Sequence, residues 1–175
     1  GWAWDAGASA VTVNTDGDID PTHSWVNATA GFNIIRYQGN GSNSTVGHNL
    51  GAKPHFRITK WLSNSSAGNE NWSVYHHSMG AGSMMNLDLT DAKGTSSVFF
   101  NNTEPTNNLF TVGTHNSVNE DDTYFISYNW TAIPGFSAFG SYTGNGNADG
   151  PFVYTGFKPR WFLMKETNDA TNWLV

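Results

Sequence analysis

Tyr124-Phe125-Ile126-Ser127-Tyr128-Asn129-Trp130 decides how this chain folds. Large side chains Tyr124, Ile126, Tyr128 and Trp130 alternate with Phe125, Ser127 and Asn129, the period-two pattern of a strand with two differently occupied faces. Shorter runs share the pattern: Phe32 and Ile34 against Asn33 and Ile35, Phe56 and Ile58 against Arg57 and Thr59, Trp72 and Val74 against Ser73. Met85, Leu87 and Leu89 against Asn86, Asp88 and Thr90 read as one further strand. The runs are divided by turn chemistry at Gly39-Asn40-Gly41, Asn64 to Gly68, Asn101-Asn102 and Gly144-Asn145-Gly146. No window keeps helical spacing free of Gly, Pro or Asn clusters, so little helix is expected. Many short strands with frequent turns predict an all-β, antiparallel β-sandwich of jelly-roll or lectin-like type.

An internal repeat organises the chain. Tyr37-Gln38-Gly39-Asn40-Gly41 returns as Tyr142-Thr143-Gly144-Asn145-Gly146, and Leu50 to Phe56 returns as Thr155 to Trp161. Tyr37 and Tyr142, Gly51 and Gly156, Lys53 and Lys158, Pro54 and Pro159, and Lys60 and Lys165 are each 105 residues apart; Phe32 and Phe136 differ by 104, Trp72 and Trp173 by 101. That period exceeds the roughly 20–50 residues of solenoid units, so each copy is expected to be a domain-sized module in tandem. Residues 31–134 then form a complete module, 135–175 begin a second, truncated one, and 1–30 hold the end of a preceding module plus a polar connector. Trp4-Asp5-Ala6 resembles Trp130-Thr131-Ala132 in the same sense, and the start looks cut from a longer chain. The competing arrangement makes the two copies halves of one duplicated sandwich closed by Trp173-Leu174-Val175.

Composition bounds the chemistry. The 175 residues contain no Cys, which excludes disulfides, thiol catalysis and thiolate metal sites. Net charge is −6 with eight Lys and Arg, too few for a basic face, so nucleic acid is not an expected partner. No run approaches the roughly 20 apolar residues of a membrane span. Charged residues are 13%, while Asn, Ser and Thr make up 55 of 175, the neutral polar surface of extracellular and virion β-proteins.

Candidate sites are sparse. Asp16, Asp18 and Asp20 alternate in a loop preceded by Asn14 and are the one weak candidate for Ca²⁺; the Glu expected at the twelfth position is missing. Glu120-Asp121-Asp122 reads as a solvated turn. His76-His77 is the closest pair among six His, but strand neighbours point to opposite faces and would not share a zinc ion. Gly39-Asn40-Gly41-Ser42 lacks the helix and Lys of a phosphate cradle and reads as a turn. Gly-x-Ser-x-Gly and His-Glu-x-x-His are absent, and a glycosidase needs two carboxylates facing across a groove; no catalytic residue is nominated. Seven Asn-x-Ser/Thr sequons, at Asn27, Asn40, Asn43, Asn64, Asn71, Asn101 and Asn129, decide nothing in a chain so rich in these residues. The 25 aromatics are expected to fill the core, or to stack on sugar rings if exposed.

Six stretches stand out: Tyr37-x-Gly-Asn-Gly41, Val46-Gly-His-Asn-Leu-Gly-x-Lys-Pro54, Trp72-Ser-Val-Tyr-His76, Asn101-Asn-Thr-x-Pro-Thr106, Phe110-x-Val-Gly113 and Gly140 to Phe157. Together they resemble a module of uncharacterised proteins of marine tailed bacteriophages and related prophages. Asn129 departs from the Cys or small apolar residue expected there. The resemblance implies a non-enzymatic structural protein of the virion, a tail fibre or other exposed component, with no cofactor. Self-association, threefold in many fibres, other virion proteins and host-surface glycan are the implied partners, and the virion surface or extracellular space the implied location. The alternative is a lectin-like module that recognises host glycan.

Overall fold

The computed structural model describes residues 3–63 and 70–175, the Asn64 to Gly68 turn expected above lying outside them. Among the described residues nine strands form: β1 (His23–Asn27), β2 (Phe32–Gln38), β3 (Ser44–Gly47), β4 (Phe56–Ser63), β5 (Ser73–His76), β6 (Ser83–Asn86), β7 (Gly94–Thr95), β8 (Leu109–Val112) and β9 (Tyr124–Trp130). The single helix among the described residues, α1, spans Asn116–Asn119. The protein is all-β, a sandwich of a seven-stranded antiparallel sheet, ordered β1-β2-β9-β4-β5-β6-β7, and a two-stranded sheet, β3-β8. The stretch quoted first is β9, paired along its length with β2 and with β4. The last strand thus completes the centre of the sheet, between β2 and β4, which both lie well upstream of it in sequence.

The alternation of β9 divides two cores. Phe125, Ser127 and Asn129 face inward, where Ile35, Tyr37, Tyr75, Phe110, Val112 and Val118 pack between the sheets. Tyr37 is wholly buried, stacks on Phe125 with ring centroids 5.3 Å apart, and donates its hydroxyl hydrogen to the Val118 carbonyl at 2.6 Å. Trp130 and Phe56 belong to a second cluster on the outer face. The inner face also carries a polar row, Asn33, Asn129 and Arg57, one residue from each of three adjacent strands and each at most 1% exposed. Asn129 is accommodated by Ser127, whose hydroxyl donates to its Oδ1 at 3.1 Å.

Residues 1–30, expected as the end of a preceding module plus a polar connector, contribute to this fold: β1 forms the edge of the large sheet, and Ile19 bridges Val46 and enters the inner core. Gly17 and Gly47 allow this, because a Cβ on Gly17 would stand 2.7 Å from the Thr45 oxygen and one on Gly47 2.0 Å from that of Asn14. The run through Leu89 ends as a strand at Asn86, since Leu87 N–H returns to the Trp72 carbonyl and Asp88 caps Trp72 N–H, turning the chain away. The duplicated-half arrangement is not formed: nothing after Trp130 joins either sheet, and Trp173-Leu174-Val175 makes one bridge, Leu174 to Met164. Phe139, Leu163 and Trp173 instead lean on the outer face of the large sheet.

Some local conformations recur between the matching stretches. Gly31, Gly41 and Gly51 have φ of 65°, 67° and 72°, and their counterparts Gly135, Gly146 and Gly156 have 77°, 67° and 81°. Asn40 Oδ1 accepts Ser42 N–H at 3.0 Å, and Asn145 Oδ1 accepts Asn147 N–H at 3.0 Å. The Met164–Leu174 bridge falls where the first copy pairs Thr59 with Ser73 across β4 and β5. Surroundings differ sharply: Tyr37 is in the core, whereas Tyr142 is 53% exposed outside any strand.

Candidate binding face

The outer face of the large sheet is organised by register. One row runs Trp25, Ile34, Tyr128, Ile58, Val74, Met85 across six strands; the next runs His23, Arg36, Ile126, Lys60. The N-terminal segment covers one end, with Trp4 edge-on to Trp130 at 5.6 Å and to Trp161 at 5.4 Å. Beside it remains a hollow of about 410 Å³ lined by Trp4, Asp5, Ala6, Gly7, Trp25, Ile34 and Ile126. Two Ile and two indoles from different parts of the chain line it. Trp25 is held from the other side by the His23 ring, stacked at 5.5 Å and 7°. Asp5, the single carboxylate of the hollow, accepts Gly7 N–H at 2.7 Å.

Two cations flank Ile126 in its row. The Arg36 guanidinium lies 4.5 Å from the Tyr124 ring centroid, and its Nε is buried without a hydrogen-bond partner. Lys60 Nζ lies over the Trp72 ring at 5.8 Å and donates to the Glu70 carbonyl. Among the described residues neither is ion-paired; the pair found there is Lys53–Glu104, elsewhere on the molecule. Such an arrangement can stack flat apolar rings and attract negative charge.

The residues singled out from sequence are otherwise employed. Asp18 accepts both Thr45 N–H at 2.9 Å and the Thr45 hydroxyl at 2.8 Å, tying the N-terminal segment to β3; these bonds hold its carboxyl below the usual range. Asp16 and Asp20 are exposed, and no group of three His, Asp or Glu among the described residues stands as metal ligands would. Asp16 lines a second, polar hollow of about 490 Å³ with Thr12, Asn14, His48 and Asn108, where it is the single carboxylate. Asn40 N–H and Gly41 N–H are taken by Asn119 and Gly39 N–H by Thr123, so the Gly39-Asn40-Gly41 amides close a turn and face no anion. In the acidic turn, Asp122 accepts from the Gln38 amide at 2.5 Å, while Glu120 is buried beside Thr123.

His76 and His77 do come together, contrary to the strand argument. β5 ends at His76 and the chain turns, bringing the two rings to 5.0 Å and His77 to 4.9 Å from His55. His77 Nε2 meets the Phe139 carbonyl at 3.1 Å. Burial, then His77 and His55, lower the His76 pKa to about 4, and His55 is lowered by burial, His77 and Lys53.

Two features escaped sequence reasoning. Arg57 is 1% exposed, donates from Nη2 to the Thr111 carbonyl at 3.2 Å, and lies over Phe110 and Phe100 at 4.4 and 4.7 Å; burial lowers its pKa to about 10. The aromatic and cationic outer face was missed because Trp4, Trp25, Arg36 and Tyr124 are far apart in sequence, although period-two spacing of His23 with Trp25 was there to be read.

A family profile described as Domain of unknown function (DUF7483) matches residues 1–175. The chain belongs to this family. No curated protein and no solved structure matches the DUF7483 chain. Among its described residues, no helix is long and apolar enough to cross a membrane.

Proposed function

We propose that this protein is a non-enzymatic module of a tandem array that builds an exposed part of a tailed-phage particle, a fibre or similar component. The observation that carries the proposal is the local echo of the first module in residues 135–175. Left-handed glycines, an Asx turn and one isolated β-bridge recur at positions matching the sequence offsets. The same segment leaves Phe152 89% and Tyr154 82% exposed, and large apolar side chains so placed favour burial against another surface. Each of the two hollows holding one carboxylate favours contact over glycoside cleavage, which uses two.

Appending residues 75–134 to Val175 tests the modular reading, since it supplies the strands a second copy lacks. Amides of 135–175 should gain hydrogen-exchange protection matching 31–74, and a segment that exchanges as before would refute it. Immunogold labelling of particles with antibody to this chain tests the location; gold confined to the interior would refute it. Host-surface glycan contact is the second reading, favoured by the hollow between Trp4 and Trp25.

A further inference from the structure

We propose that the outer face binds an anionic polysaccharide, its sugar rings seated between Trp4 and Trp25 and its acid groups on Arg36 and Lys60; this rests on the glycan reading and adds the charge of the ligand. Indoles provide flat apolar area that the C–H face of a pyranose can cover, and the hollow of about 410 Å³ is lined also by the apolar Ile34 and Ile126. Hydroxyls at the ring edge can reach Asp5, whose carboxylate uses one oxygen on Gly7.

The sign of the charge follows from the neighbouring row. Arg36 stands directly across from Ile126 on one side and Lys60 on the other. They are therefore two strand spacings apart at the backbone, roughly 10 Å, a separation that suits acid groups on alternate rings of a polymer. Both sit on aromatic rings, and among the described residues neither has a carboxylate partner. The carboxylates of Asp5, Asp88 and Asp122 accept from Gly7 N–H, Trp72 N–H and the Gln38 amide, and none of them pairs with Arg36 or Lys60. In a chain of net charge −6, two unneutralised cations set among aromatics make a local site for a carboxylate or sulfate.

Affinity electrophoresis of the full chain in gels containing polygalacturonate, dextran sulfate or neutral dextran tests this. Polygalacturonate and dextran sulfate should both retard the protein, and dextran should not. Arg36→Gln and Lys60→Gln should each weaken binding about tenfold, equivalent to about 1.4 kcal/mol. Trp25→Ala should abolish retardation and Trp25→Phe retain it, with a thermal melt confirming that each variant is folded. Arg160→Gln, on the exposed C-terminal segment, should change nothing. Equal retardation by dextran with no effect of Arg36→Gln would overturn the charge assignment while leaving glycan contact in place. No retardation by any polymer, or an Arg160→Gln effect equal to that of Arg36→Gln, would overturn the site itself; either result leaves the tandem-array reading to its own exchange experiment.

Discussion

Replacing Arg57 by Met should make the protein more stable. The guanidinium sits in the inner core at 1% exposure, with one hydrogen bond, Nη2 to the Thr111 carbonyl, and with Nε and Nη1 unpartnered. Burial lowers its pKa, but only to about 10, so it is cationic at neutral pH. On the favourable side stand one charge-assisted hydrogen bond of about 1.5–3 kcal/mol and stacking on Phe110 and Phe100, about 0.5–2 kcal/mol each. Against them stand a desolvation cost of several kcal/mol for the ion and about 1–3 kcal/mol for each orphaned donor. Met has similar reach, carries no charge, and its sulfur packs well on the same rings. Arg57→Met is therefore expected to stabilise by about 1–3 kcal/mol, within the range seen when buried ions give way to apolar groups. In a chain of this size that raises Tm by about 2–4 °C per kcal/mol, readable by calorimetry and urea unfolding. Arg57→Lys, which keeps the charge but loses the planar stacking, should destabilise. A loss of more than about 1 kcal/mol in Arg57→Met would mean that the charge is stabilised by something other than the neighbours named here, and the reasoning would fail.

Three further outcomes are expected. Burial, and then the Arg57 charge, hold the His48 pKa at about 4 despite the Thr106 carbonyl, against 6.5 unfolded. The unfolded chain thus holds more protons between these values, and stability is complete above about pH 6.5 and declines as pH falls towards 4, by up to about 3 kcal/mol for this site. His76 acts in the same direction, and a urea midpoint flat across pH 4–7 would contradict both. Asn119→Ala removes the bonds its amide makes to Asn40, Ser42 and Gly113; it should cost about 3 kcal/mol or more, and exchange measurements should show the 39–42 turn opening first. Gly113→Ala would place a Cβ 2.1 Å from the Val98 oxygen and should destabilise by several kcal/mol, whereas Gly140→Ala, with nothing within 4 Å, should leave the melt unchanged.

What could be read directly from the residues is whatever depends on short-range geometry. Period-two alternation placed β2, β4, β5 and β9, because side chains on a strand must point to opposite faces whatever lies beyond them. The run through Leu89 failed at Leu87 because Asp88 and the Trp72 backbone close a turn there, a contact between segments that no local pattern announces. Expected turns at Gly39-Asn40-Gly41 and Gly144-Asn145-Gly146 share their backbone form, since an Asn carbonyl and a left-handed Gly act within four residues.

The sequence by itself determined an all-β chain with its main strands and its turns, all consequences of forces acting between near neighbours. Only the tertiary structure decided which of two similar stretches is buried. Tyr37 has β9 beside β2 and β4 and β8 across from them, so it lies in a core; Tyr142, in a stretch of similar sequence, stays at the surface. Arg57 in the interior, and Trp4, Trp25, Arg36 and Lys60 on one face, were likewise decided there. Burial and convergence depend on strands brought together across some hundred residues, and no pattern within one strand encodes its partner.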